Sequence, residues 1–192
     1  MKRAWGILII VALVAILLLM LLSPSKIKLP KRAVQPELVL RQIKVVKEQE
    51  RDGDELYLTL SARVAGESPE YSRIPAKPDH WLSRQIDLVK DVSLWSKPIL
   101  EGQSVTLVIE LNEQDAEPLN SDDLLGIMRV QLNNEKGSLV IHWDHPDKKG
   151  LDAPKKQASQ MVDRFSQGTG KVETYELDND GAHYEVYLSV KN

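Results

Sequence analysis

Residues 105–132 read VTLVIELNEQDAEPLNSDDLLGIMRVQL, and this stretch decides the fold class. Val105, Leu107, Ile109 and Leu111 alternate with Thr106, Val108 and Glu110, the period of a strand with one face against a core. A second strand is expected over 127–132. Between the two, Glu113, Asp115, Glu117, Asp122 and Asp123 follow one another with no basic residue among them. Ionised carboxylates crowded into one loop repel each other unless water or a cation separates them. A hard divalent cation such as calcium, which takes about six to eight oxygens, would relieve the crowding.

The same alternation recurs on both sides. Residues 37–46 and 55–64 are strand candidates, and in the second Leu56, Leu58, Leu60, Ala62 and Val64 occupy one face. Their connection, KEQERDGD, also gathers acids: Glu48, Glu50, Asp52 and Asp54, followed by Glu55. Asp52-Gly53 supplies the turn, because glycine reaches positive φ without a steric penalty. Downstream, 138–144 returns from a hairpin turn at 133–137, and 172–177 and 183–190 flank the turn Asp178-Asn179-Asp180-Gly181. Six or more strands with few helices predict an all-β, antiparallel sandwich. Pro69, Pro75 and Pro78 break regular structure between Gly66 and Asp79, and residues 80–95, HWLSRQIDLVKDVSLW, read as a short strand or one helical turn. Residues 145–170, polar with one short helix expected near 155–165, read as a surface insertion.

The first residues differ from the rest in composition. Residues 5–22, WGILIIVALVAILLLMLL, are an unbroken apolar run, about 27 Å long as a helix and close to the thickness of a bilayer core. No small-x-small cleavage site follows it, so it is expected to be an uncleaved signal anchor, one N-terminal transmembrane helix over 1–22. Residues 23–35, SPSKIKLPKRAVQ, then form a tether reaching at most about 45 Å, and 36–192 the folded domain. The two-residue basic tail, Lys2-Arg3, fits an anchor whose N-terminus stays inside, which would put the domain in the periplasm beyond an inner membrane.

Charge and composition exclude several functions. The chain carries 25 Lys+Arg and 28 Asp+Glu; six of the bases and none of the acids precede residue 33, leaving 19 bases against 28 acids beyond it. That balance excludes a nucleic-acid partner, which demands a basic footprint. With no cysteine, disulfides, thiol catalysis and cysteine-ligated zinc are excluded too. There is no nucleophile elbow, phosphate-cradling glycine loop or His-Glu-x-x-His helix, and His142 and His145 are three apart, which splits them between the faces of a strand. The reading is a binding protein and not an enzyme.

Two stretches resemble the C2 domains, β-sandwiches that bind calcium through acidic loops at one end. Gly53-Asp54-Glu55-Leu56-Tyr57-Leu58-Thr59-Leu60 is similar to the family's glycine, serine, aspartate, proline, tyrosine run after its first calcium loop. Residues 109–126 resemble its strand with an aspartate-x-aspartate pair and a loop closed by aspartate, two apolar residues and glycine, here Asp123-Leu124-Leu125-Gly126. The chain is also similar to bacterial membrane-anchored proteins that share the Asp54-Glu55-Leu56-Tyr57 run. The C2 resemblance implies a calcium site made of Glu48, Asp54, Glu113, Asp115 and Asp123. It departs from the family in having glutamate at Glu48 and Glu113 and a third loop about two residues longer. The implied role is a membrane-anchored C2-like module contacting anionic lipid or a protein. The alternative is a metal-free structural or interaction subunit of a cell-envelope assembly.

Overall fold

The computed structural model describes residues 32–115, 122–147, 150–162, 170–179 and 181–192. Both the apolar run at 5–22 and most of the tether lie outside them. Among the described residues no helix is long and apolar enough to cross a membrane.

The described chain is all-β, and every strand pairing is antiparallel. The strands in chain order are β1 (Ala33–Val34), β2 (Glu37–Lys47), β3 (Glu55–Val64), β4 (Glu70–Ile74), β5 (Trp81–Leu82), β6 (Val92–Ser96), β7 (Ile99–Leu100), β8 (Ser104–Glu113), β9 (Asp123–Glu135), β10 (Ser138–Asp147), β11 (Gly150–Val162), β12 (Glu173–Asn179) and β13 (Ala182–Lys191). One sheet runs β11-β10-β9-β8-β3-β4 with β5 beside β3, and a second runs β12-β13-β2-β6. Leu56, Leu58 and Leu60 of β3 and Leu107, Ile109 and Leu111 of β8 meet Leu38 and Leu40 of β2 and Tyr184, Val186 and Leu188 of β13 in one buried core. The period-two faces of the two sheets therefore close on each other as a sandwich.

Four expectations change. β9 begins at Asp123, four residues before the strand read from the sequence. Its register shifts between Leu111 and Asn112, which face Gly126 and Leu124, so Leu125 is the extra residue of a bulge and breaks the alternation. Gly126 sits where the sheets approach closely: a Cβ there would lie 2.6 Å from Leu177 Cδ2 of β12. Residues 80–95, expected to hold one short strand or helical turn, contain β5, the 3-10 helix Ser83–Leu88 and most of β6, and the proline-broken stretch before them holds β4.

The expected insertion with a helix near 155–165 is instead largely strand: β11 pairs with β10 from Leu139↔Val162 to Asp147↔Gly150. Residues 163–169 lie outside the description. Main-chain pairing to a neighbour needs no apolar alternation, so periodicity is a poor guide at a sheet edge. The folded unit also starts before residue 36. Ala33 and Val34 pair with Leu100 and Ile99, Val34 is buried, and Asn134 Nδ2 donates to the carbonyl oxygens of both Arg32 and Ile99 at 2.8 Å.

These pairings set the two ends of the sandwich. Leu56 faces Glu113 at one end of β3, and Val64 faces Val105 at the other. The acidic connections β2–β3 and β8–β9 lie at the first end. Arg32 lies at the second, with its amide near Glu101 and its guanidinium donating to the Lys136 carbonyl. The length of β8, ten residues or about 33 Å, separates them.

Candidate functional site

At the acidic end the β2–β3 connection is shaped by Asp54, which is fully buried. Its Oδ1 accepts from the amides of Glu50 (2.9 Å) and Gln49 (3.2 Å), and Oδ2 accepts from the Gln49 amide (3.1 Å) and the Tyr184 hydroxyl. Burying a carboxylate without such donors would be prohibitive, so the loop folds around it. Burial first, and then the bond to Asp54, raises the Tyr184 phenol far above its ordinary range, so Tyr184 stays a donor. The main chain of Asp54 is locked as well: its amide donates to Ser83 Oγ, and its carbonyl accepts from the Ser83 amide, both at 2.9 Å. Ser83 Oγ in turn donates to Glu48 Oε1 at 2.6 Å.

Beside this staple, one carboxylate oxygen each of Glu50, Glu113 and Asp115 lie within 4.8 Å of one another. Glu113 is the last residue of β8 and only 2 % exposed, Glu50 is exposed, and Asp115 is intermediate. Burial, reinforced by the charges of Asp115, Glu50 and Asp54, pushes the Glu113 carboxyl up to about 7 from an ordinary 4.5, partly offset by a hydrogen bond from the Glu55 amide. Asp115 Oδ2 is buried and meets no donor. The Asp115 amide donates to Asp122 Oδ1 at 3.3 Å, and Asp122 Oδ2 accepts from the Tyr57 hydroxyl at 2.6 Å.

The cluster opens on a cleft of about 470 Å³ lined by Glu50, Glu55, Lys77, Gln114, Asp115 and Asp122. On its flank the Arg73 guanidinium lies 4.0 Å from the centre of the Tyr57 ring and donates to Gln114 Oε1 at 2.8 Å and the Asp79 carbonyl at 2.6 Å. Its charge is thus held by carbonyl oxygens and a π face and makes no ion pair with the three carboxylates.

Of the five residues the C2 resemblance implied, Glu113 and Asp115 come together. Glu48, Asp54 and Asp123 are not in the 4.8 Å trio: Glu48 accepts from Ser83, Asp54 sits in its cage of donors near enough for its charge to act on Glu113, and Asp123 Oδ2 accepts from Gln49 Nε2 at 2.9 Å. Glu50, which the resemblance passed over, completes the trio. The only signal for it in the sequence was its membership of the acidic KEQERDGD connection. His145, on β10, bonds Glu173 at 3.0 Å and stacks on Tyr175 at 4.2 Å, a contact between the sheets.

No family model matches the chain, and no curated protein matches it. Among solved structures it is similar to human GIVD cytosolic phospholipase A2 in complex with methyl gamma-linolenyl fluorophosphonate, with a TM-score of 0.34 and 8 % identity over 85 % of this chain. The match spans 33 % of that enzyme's chain, and a likeness of this degree defines no activity.

Proposed function

We propose that this chain is a C2-like binding module, not an enzyme, whose acidic end takes a divalent cation, calcium by the chemistry of its donors. The convergence of Glu50, Glu113 and Asp115 carries this reading. Three carboxylates within 4.8 Å, one of them buried, repel strongly, and a hard cation bound among their oxygens converts that repulsion into coordination. Asp115 Oδ2, buried without a donor, is the atom that gains most. Neutralised, the tip can meet an anionic lipid surface or an acidic protein. It lies at the end of the sandwich remote from Arg32. Residues 5–22 would anchor the module as a single-pass protein of an inner membrane, with the domain in the periplasm.

The test is the thermal midpoint of the full chain in chelator and in millimolar calcium, with magnesium as control. A ligand that binds only the folded state at a hundredfold excess over its dissociation constant adds about 2.7 kcal/mol. A calcium-specific rise is expected, followed by calcium-dependent binding to anionic vesicles. No rise would retire the cation site.

One observation favours a metal-free interaction module instead: Glu48, Asp54 and Asp123 already have protein donors, so much of the acidity at this end shapes the loops. On that reading calcium leaves the midpoint unchanged, and crosslinking in the membrane recovers a protein partner.

A further inference from the structure

The loop over residues 75–79 walls the acidic cleft, and one guanidinium sets its place. Arg73 Nη1 donates to the carbonyl oxygens of Pro75 at 2.8 Å and Asp79 at 2.6 Å, which fastens the loop at both ends. Nη2 donates to Gln114 Oε1 at 2.8 Å, and the Gln114 amide donates to the Glu55 carbonyl at 2.7 Å. Gln114 stands between Glu113 and Asp115, two of the three convergent carboxylates. The loop is thereby tied to the segment that carries them. Lys77, in the middle of the loop, is exposed and lines the same cleft as Glu50 and Asp115. Among the described residues it is the one base in that lining, and it makes no ion pair.

The acids of the cleft differ in what already holds them. Asp122 accepts from Tyr57, and Glu55 lies 3.6 Å from His80 Nδ1. The Glu50 carboxylate meets no donor among the described residues, and Asp115 Oδ2 is buried without one. An ammonium on a flexible four-carbon stem, with three donors and no acceptor, complements these two acids. We infer that Lys77 is the site's own counter-ion: with no cation bound its ammonium docks between Glu50 and Asp115, and a divalent cation must displace it. The displacement rests on the cation reading, whereas the docking does not. A tethered competitor raises the calcium concentration that the site requires. It also disfavours monovalent cations, which carry no more charge than the ammonium they would replace. An ion pair at an open cleft is weak, so a divalent cation prevails.

The experiment is zero-length carbodiimide crosslinking of the full chain in phosphatidylcholine nanodiscs, in chelator and in millimolar calcium, read by peptide mass mapping. The reagent joins an amine to a carboxylate only where the two touch. Lys97 and Glu70, an exposed pair with Nζ and Oε1 2.6 Å apart, serve as the internal standard. In chelator an amide from Lys77 to Glu50 or Asp115 is expected, and calcium should lower its yield at least tenfold while the standard stays constant. Lys77→Gln should bind calcium about two- to fivefold more tightly by calorimetry. Absence of both amides while the standard forms would overturn the proposal, and so would a calcium affinity unchanged in Lys77→Gln. Amides that persist in calcium while the thermal midpoint rises would overturn the displacement. Amides that persist with no rise in midpoint would uphold the docking and retire the cation reading instead.

Discussion

Tyr184, on the last strand, donates its hydroxyl to Asp54, the residue that folds the β2–β3 connection 130 positions earlier in the chain. The bond crosses from β13 in the smaller sheet to the start of β3 in the larger, so it ties the two sheets at the acidic end. It also makes Asp54 a structural carboxylate with four acceptances from three donor groups.

Tyr184→Phe removes one of those donors from a fully buried charge. The expected loss is about 1–3 kcal/mol of unfolding free energy, read from urea melts. Because Asp54 is not one of the convergent carboxylates, the loss should be equal in chelator and in calcium. A loss seen only in calcium would place Asp54 among the ligands after all.

Glu113 makes stability depend on pH in the direction opposite to most carboxylates. Its folded value of about 7 lies above the ordinary 4.5, so between those pH values the folded state binds more protons than the unfolded one. Stability therefore falls as pH rises through that window and levels off above it, by at most about 3 kcal/mol. Glu113→Gln should remove this slope and be more stable than the parent above pH 7 in chelator. Urea unfolding at a series of pH values from 4.5 to about 8, compared between the two proteins, reads the difference.

Calcium should separate the acids that converge from those that do not. Glu50→Gln and Asp115→Asn are each expected to abolish the calcium-dependent rise in thermal midpoint and leave the calcium-free fold intact, whereas Asp123→Asn should keep most of the rise. Near pH 7 calcium should also release about half a proton per chain, because Glu113 is about half protonated there and binding displaces that proton. Calorimetry in buffers of different ionisation enthalpy measures that release.

Gly126→Ala is expected to cost about 1–3 kcal/mol, as overpacking does, since its Cβ would stand 2.6 Å from Leu177 Cδ2 and 3.0 Å from Leu177 Cβ. Pairing it with Leu177→Ala should recover part of that loss. Full additivity of the two in urea melts would show that they do not share this contact.

Much of the fold was legible where one side of a strand is buried. In β3 and β8 the alternation of Leu56, Leu58 and Leu60, and of Leu107, Ile109 and Leu111, is the burial pattern itself. It failed where the backbone departs from period two, at the Leu125 bulge, or where a strand lies at an edge, as β11 does. The hairpin at Lys136-Gly137, with φ of 55° and 88°, was readable because glycine there admits the left-handed region. The site was legible as composition only. The C2 resemblance took Glu113 and Asp115 from the acids of the β8–β9 connection, but Asp123 with them, and composition left Glu50 indistinguishable from Glu48, two residues away and turned instead to Ser83.

By itself, the order of residues determined that this protein is built of antiparallel strands and that two of its connections are dense in carboxylates, since both follow from local pattern and charge. Which carboxylates meet was decided only in three dimensions. Coulomb repulsion and cation coordination depend on separations of a few ångströms, and here those are set by the pairing of Leu56 with Glu113 and by the cage of donors that turns Asp54 inward. Neither is written in any one segment of the chain.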